Sequence, residues 1–290
     1  MTDIVEFIDS NEIDFTVYSK GKNIAKPEVM GEELWKKLFE RDPRFGGVSC
    51  AFYGVPGSGK TSLMLQICKR IAATKPNEII FWREPWGVPV QITNIGIPVR
   101  FFSASKLGIR IHELTEKGAV NNKDIKVYKF QHIGQLLDKI EPGINVIYFN
   151  DRKGWLRLFD RMKLNLTWTS VFLDEAEDIF SSRVGGKDWY LNEQFCSDIK
   201  DFRKARNSIF LNTQTDWDVD PRIKSKLMLE VFLYGSKKNK DSPLYRGVLQ
   251  DIELGEGWIT YAHSLFGKIR FDPVEPQQQQ YIALPKGHVR

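Results

Sequence analysis

The sequence predicts an α/β fold: a mostly parallel central sheet flanked by helices, with extra β-strands after the core. Three observations carry this prediction. From residue 47 to residue 213, short apolar runs alternate with amphipathic stretches, the pattern of successive βαβ units. A glycine-rich loop, Gly54 to Thr61, joins the first apolar run to the first helical one. A later apolar run, Val171-Phe172-Leu173, ends in two adjacent carboxylates, Asp174 and Glu175.

Taken in order, residues 1–44 read as an N-terminal extension, 45–270 as the core domain and 271–290 as a C-terminal tail. Within the extension, Glu32 to Phe39 reads as a short amphipathic helix after Pro27. Gly47 to Tyr53 is the first strand. Ser62 to Ala73 is helical by composition and spacing, and Pro76 stops it. Strands follow at Glu78 to Trp82, Val99 to Ser103, Lys126 to Phe130 and Asn145 to Phe149. A helix spans Ile133 to Ile140, and a basic amphipathic helix spans Asp151 to Leu164. Thr169 to Leu173 has the composition of a fully buried strand. A helix at Phe195 to Ala205 precedes the strand that begins at Ser208. Beyond it, Leu229 to Tyr234, Tyr245 to Leu254 and Trp258 to Ala262 are strand-like, with turns at Gly235 and Gly255 to Gly257. The tail contains Pro and the run Gln277 to Gln280, and is expected to be loosely ordered.

The loop G-V-P-G-S-G-K-T matches G-x-x-x-x-G-K-[ST], the Walker A pattern, without a mismatch. Its flanks, a strand before and a helix after, are the context that pattern requires. Gly54, Gly57 and Gly59 can take backbone angles closed to other residues and let the chain approach phosphate oxygens. Gly54, Val55, Pro56, Gly57, Ser58, Gly59, Lys60, Thr61 and Ser62 would form the cradle, with inward N–H groups and a helix N-terminus. Lys60 adds a point charge at the β- and γ-phosphates, and Thr61 a hydroxyl for Mg²⁺. The cofactors expected are therefore ATP and Mg²⁺.

Val171 to Glu175 supplies the matching Walker B element. Asp174 would hold Mg²⁺ together with Thr61. Glu175 would take a proton from the attacking water. Glu177 and Asp178 read as a solvated helix face. Ser208 to Thr215 is another apolar strand, ending in amides and hydroxyls, and Gln214 at its tip can orient water or bond the γ-phosphate. Arg203, Lys204 and Arg206 close the preceding helix. They suit the helix dipole there; alternatively Arg203 or Arg206 is an arginine finger for a neighbouring subunit, with Arg222 a third candidate. Lys237 to Lys240 is basic, a solvated turn or a tip that touches a phosphate backbone.

Composition excludes other classes. At 290 residues and 42% hydrophobic, the chain has enough apolar material for one large domain or two small ones. No run approaches the roughly 18 apolar residues of a membrane helix, and the acidic start does not read as a secretory signal. Three widely spaced cysteines, Cys50, Cys68 and Cys196, suggest a reducing compartment and buried thiols. A net charge of +5 permits nucleic-acid contact without demanding it. Eight Trp and nineteen Phe point to a large aromatic core.

These residues together resemble the HerA/FtsK branch of P-loop ATPases. That branch includes DNA pumps, viral genome-packaging ATPases and the zonula-occludens-toxin-like phage assembly proteins. The stretch from Arg203 to Leu233 carries most of the likeness: a basic helix end, an apolar strand ending in Thr213-Gln214, a loop, a basic segment and another strand. Asp174-Glu175-Ala176 is similar to the family's D-E-A. The resemblance implies a RecA-like P-loop NTPase fold of the ASCE class and an ATP-hydrolysing motor. It further implies a homo-oligomeric ring, hexameric by preference, that moves double-stranded DNA, with capsid or assembly proteins as further partners. It implies a cytoplasmic place in a prokaryotic or virus-infected cell, or association with a virion. The long segment between the two Walker elements, rich in Trp, Phe and Pro, departs from the family pattern. The alternative within the family is a toxin-like ATPase that extrudes protein or virion at a membrane. Outside it stand a nucleotide-switched structural module and a small-molecule kinase.

Overall fold

The computed structural model describes residues 17–19, 22–24, 46–182, 185–215, 218–236, 252–261, 264–272 and 274–287. Two short strands, β1 (Val17–Ser19) and β2 (Lys22–Ile24), pair antiparallel at the start. Then come β3 (Ser49–Tyr53), α1 (Lys60–Thr74), β4 (Ile79–Arg83), β5 (Val99–Ala104), β6 (Arg110–Thr115), β7 (Gly118–Asn121), β8 (Val127–Phe130) and α2 (Ile133–Leu137). The chain continues through β9 (Gly143–Tyr148), α3 (Arg152–Asn165), β10 (Thr169–Leu173), α4 (Glu177–Phe180), α5 (Lys187–Lys204) and β11 (Ser208–Thr213). It closes with α6 (Pro221–Lys224), β12 (Leu229–Leu233), β13 (Glu256–Tyr261), β14 (Ser264–Arg270) and β15 (Gln280–Leu284).

The central sheet has the order β14-β13-β12-β3-β11-β10-β4-β9-β5-β8. Every pair from β12 to β8 is parallel, and β13 and β14 are added antiparallel at one edge. Each of β3, β10, β11 and β12 is buried at all of its residues. These strands lie between helices on both faces, which is why they read as continuous apolar runs rather than alternating ones.

One face packs on α1. Leu63, Met64, Ile67 and Ile71, at helical spacing, bury against Cys50, Phe52 and Phe210. Lys75 N closes that helix on the Ile71 carbonyl, and Pro76 follows. The other face packs on α3 and α5. Asp151 caps α3 by accepting from Gly154 N at 3.2 Å. Trp155, Leu158, Phe159 and Met162 form its buried stripe. Phe159 meets Phe195 at 4.8 Å and Phe202 at 6.0 Å between ring centroids, and Phe180 stacks on Phe195 at 4.2 Å. Much of the aromatic content is thus core. Cys50, Cys68 and Cys196 are free and buried, and burial raises the Cys50 and Cys68 thiols well above their ordinary range.

Three expectations change. The segment between β5 and β8 carries a hairpin, β6–β7, whose two-residue turn leads into Gly118 at φ +113°. Local apolar alternation is weak there, and the hairpin is completed by a third strand distant in sequence. That strand is β15, so the tail is ordered at 280–284, where Ile282 pairs His112 and Ala283 pairs Ile111. Ala283 is fully buried beside Ile111, and this contact fixes the tail. The helix at 133–140 stops at Leu137. The readings at Glu32 to Phe39 and Lys237 to Lys240 lie outside the described residues, as does most of the strand read at 245–254. Among the described residues, no helix is long and apolar enough to cross a membrane.

Candidate nucleotide site

The loop after β3 is braced by elements far away in sequence. Gly54 N donates to the Gln214 carbonyl at 3.3 Å, and Val55 N to the Tyr234 carbonyl at 3.4 Å. A Cβ on Gly54 would stand 2.4 Å from Ser58 Oγ and 3.2 Å from the Leu233 Cβ, so only glycine fits between β3 and β12. Gly57 has a different reason. Its φ is +82°, and a Cβ would meet nothing within 4 Å, so the requirement is conformational and the space above it is open. Gly59 at φ +89° starts α1 as its N-cap. Lys60 Nζ reaches back to donate to the carbonyls of Gly54 at 2.6 Å and Val55 at 3.0 Å. Burial lowers the Lys60 pKa, while Asp174, Glu177 and Glu175 push it back up.

Parallel register places β10 and β11 beside this loop, with their carboxyl ends at the same level. Asp174 follows β10 and is 8% exposed. Burial, followed by the repulsion of Glu175, raises its carboxyl to about 6; Arg83 opposes this. Asn212, 2% exposed on β11, donates through Nδ2 to Asp174 Oδ1 and to Thr61 Oγ1, the latter at 3.2 Å. One buried amide thus holds together the two groups expected to bind a metal.

Glu175 is exposed and sits at φ +51°, a left-handed conformation costly for a side chain with a Cβ. Its backbone is held from both sides. Ala176 N donates to the Asn212 carbonyl at 2.8 Å. Arg83, at the end of β4, donates through Nη1 to the carbonyls of Asp174 and of Glu175, the latter at 3.1 Å, and pairs through Nη2 with Asp178 at 2.6 Å. Strain of this kind gathers at functional positions.

Glu177 corrects the expected solvated face. It is half-buried and hydrogen-bonded to the Thr213 hydroxyl; burial raises its carboxyl despite that bond. The four-residue α4 folds back over the exit of β11, which turns Glu177 inward and leaves Asp178 outside.

The structure brings Lys60, Thr61, Asp174, Glu175 and Gln214 to one edge of the sheet. Gln214 is exposed there, its carbonyl tied to Gly54. Arg203 and Arg206 are not brought to this site. The Arg203 carbonyl accepts from Gly47 N at 2.8 Å, at the amino ends of β3 and β11. Six residues of strand, about 20 Å, separate them from Gln214. Arg206 stands at φ +63°, its guanidinium 5.0 Å from the Trp168 ring centroid. Arg222 pairs with Asp220 at 2.6 Å and covers Trp189. Asn212, Arg83 and Glu177 escaped sequence reasoning. Asn212 carried a signal, a polar residue two positions before Gln214 on the same face of an apolar strand. Arg83 carried one only once β4 is known to lie beside β10.

The donor set fits a magnesium triphosphate. Thr61 and Asp174 offer the hydroxyl and carboxylate oxygens that Mg²⁺ accepts alongside phosphate. Ser58 Oγ is buried within the loop with no partner among the described residues, and the space over Gly57 is open.

No family model and no curated protein matches the sequence. Solved structures do match. The genome packaging NTPase B204 from Sulfolobus turreted icosahedral virus 2, in complex with ATP-gammaS, is 14% identical and has a TM-score of 0.52; the match covers 81% of this chain and 100% of that one. Its AMPPCP complex gives 14% identity and a TM-score of 0.51, over 80% of this chain and 100% of that one. The N-terminal domain of zonular occludens toxin from Neisseria meningitidis is also 14% identical, over 80% of this chain and 87% of that one, with a lower TM-score of 0.38. The chain therefore has the P-loop NTPase fold, in an arrangement similar to that of a viral genome-packaging NTPase.

Proposed function

We propose that this protein is an ATP-hydrolysing motor that translocates double-stranded DNA as an oligomeric ring, in genome packaging or DNA transfer. The observation that carries the ATPase reading is the bridge from Thr61 through Asn212 to Asp174 beside the Lys60 loop. It joins the two Walker elements at one sheet edge, with Glu175 and Gln214 next to them.

Placement supports the following roles. The loop N–H groups and Lys60 bind the β- and γ-phosphates. Thr61 and Asp174 hold Mg²⁺, which when bound neutralises charge on the phosphate oxygens. Glu175 takes a proton from water as that water attacks the γ-phosphorus, and Gln214 orients it. The bond to the β-phosphate oxygen breaks, yielding ADP and phosphate. Arg203 or Arg206, at the opposite edge of the sheet, could serve only a neighbouring subunit's site, so a finger role for either requires the ring. The similarity to a packaging NTPase supports DNA as cargo, with capsid proteins as partners.

The test is ATP turnover with and without duplex DNA at low salt, where phosphate contacts are strongest, beside a mass measurement with nucleotide bound. Stimulation by duplex DNA in an oligomer is expected. Turnover indifferent to DNA but raised by a coat or membrane protein would transfer the protein to the assembly class. Absence of turnover in every oligomeric state would remove the motor reading altogether.

A further inference from the structure

A second crevice lies beside the nucleotide site, at the carboxyl ends of β4 and β9. It is a cavity of ≈ 370 Å³, within the size range of small-molecule sites. Its position has a topological cause. After β4 the chain crosses β9 on the α1 face to reach β5; after β9 it returns through α3 on the other face to β10. Connections that leave adjacent parallel strands in opposite directions open a crevice at the strand ends, where α/β sheets bind ligands. The Walker A loop is three strands away, at about 14 Å.

Two residues that line this crevice, Glu84 and Tyr148, each carry a buried oxygen without a partner among the described residues, Oε2 and the phenol hydroxyl. Glu84 is 4% exposed and Tyr148 is 2% exposed. The Glu84 carboxyl is fixed, because it accepts from the backbone N–H groups of Gln91 and Ile92. Burial raises it to about 8, so at neutral pH it holds a proton. Burial likewise keeps the Tyr148 phenol neutral. The crevice thus carries two uncharged O–H groups, each able to donate or accept. Its apolar lining combines the rings of Trp86, Phe149 and Trp155 with Pro85, Ile147 and Ile179.

These features restrict the ligand. An aliphatic group would leave both O–H groups unpaired, which is costly in a buried site. The charged side chains of the lining balance, Arg83 and Arg152 against Asp151 and Asp178, so an ion of either sign gains no net attraction there. A neutral planar heterocycle with donors and acceptors along one edge satisfies both groups and uses the aromatic surface. We propose that the crevice at the ends of β4 and β9 is a nucleobase-binding site, read by Glu84 and Tyr148 against the rings of Trp86, Phe149 and Trp155. Arg83 lines it and also holds the Glu175 carbonyl, so an occupant would lie against a residue that braces the Walker B tip.

The test uses the full chain and probes without phosphate, which do not engage the Walker A loop. Adenosine, guanosine, cytidine and thymidine are titrated by calorimetry, beside short single-stranded and duplex oligonucleotides in a Lys60→Ala background. At least one nucleoside is expected to bind, and Tyr148→Phe and Glu84→Leu each weaken it about tenfold. Lys60→Ala abolishes ATP binding and leaves nucleoside binding unchanged, which separates this site from the motor reading. A single-stranded oligonucleotide tighter than its nucleoside identifies the base as part of a strand; equal affinity identifies a free nucleoside as the ligand. No binding by any nucleoside or oligonucleotide overturns the proposal, as does binding that Tyr148→Phe leaves unchanged. Tyr148→Phe conserves the ring and its packing, so it decides the matter even if Glu84→Leu does not fold.

Discussion

Replacing Asn212 with leucine asks whether the bridge between the two Walker elements is what assembles the metal site. Asn212 is buried at the end of β11 and donates to both Asp174 and Thr61. Leucine has the same branched heavy-atom outline, though it is bulkier, and offers neither bond. The bond to the Asp174 carboxylate is of the charged kind, worth about 1.5–3 kcal/mol, and the bond to Thr61 adds about 1 kcal/mol. Not all of this is lost, because water can partly replace the amide at a cleft edge. A net loss of about 2–3 kcal/mol corresponds to a weakening of about 30- to 150-fold. The readout is the Mg²⁺ concentration that half-saturates ATP binding, followed with a fluorescent ATP analogue. It should rise by that factor in Asn212→Leu, while nucleotide binding without Mg²⁺ changes little. If the variant melts earlier but keeps the wild-type Mg²⁺ dependence, Asn212 is only a packing residue and the reasoning fails.

Four further outcomes are expected. Glu175→Gln should abolish ATP turnover and retain ATP binding; normal hydrolysis by this variant would show that another group takes the proton. Because the Asp174 carboxyl ionises only near 6, Mg²⁺-dependent ATP binding should weaken progressively below about pH 6. The same group sets a stability trend: its folded pKa lies above the ordinary 3.8, so stability falls as pH rises from about 4 to about 6. Asp174→Asn should therefore raise stability at pH 7 by up to about 3 kcal/mol, at about 1.4 kcal/mol per pH unit, while losing Mg²⁺ dependence; chemical denaturation across this pH range tests both signs. Phe159→Ala removes the ring that joins α3 to α5 and should cost about 3–5 kcal/mol in denaturant unfolding.

The sequence by itself determined the parts of this protein whose signals are local. The G-x-x-x-x-G-K-T spacing, the apolar run closed by Asp174-Glu175 and the strand closed by Thr213-Gln214 each lie within a few residues. Strand and helix periods identify their flanks, and the parallel sheet follows from their alternation. What only the tertiary structure decided depends on which strands become neighbours. Asn212 meets Thr61 across 151 residues of sequence, and Arg83 meets Asp174 across 91. A local pattern marks Asn212 only as a polar residue on an apolar strand and does not mark Arg83; neither pattern names the partner, which is chosen by strand order and not by spacing. Strand order likewise put Arg203 and Arg206 at the far edge of the sheet, turned Glu177 inward over β11, and drew the tail back as β15. Burial did the rest: it set the Asp174 and Glu84 carboxyls well above their ordinary range, an effect that depends on what surrounds a side chain rather than on its neighbours in the chain.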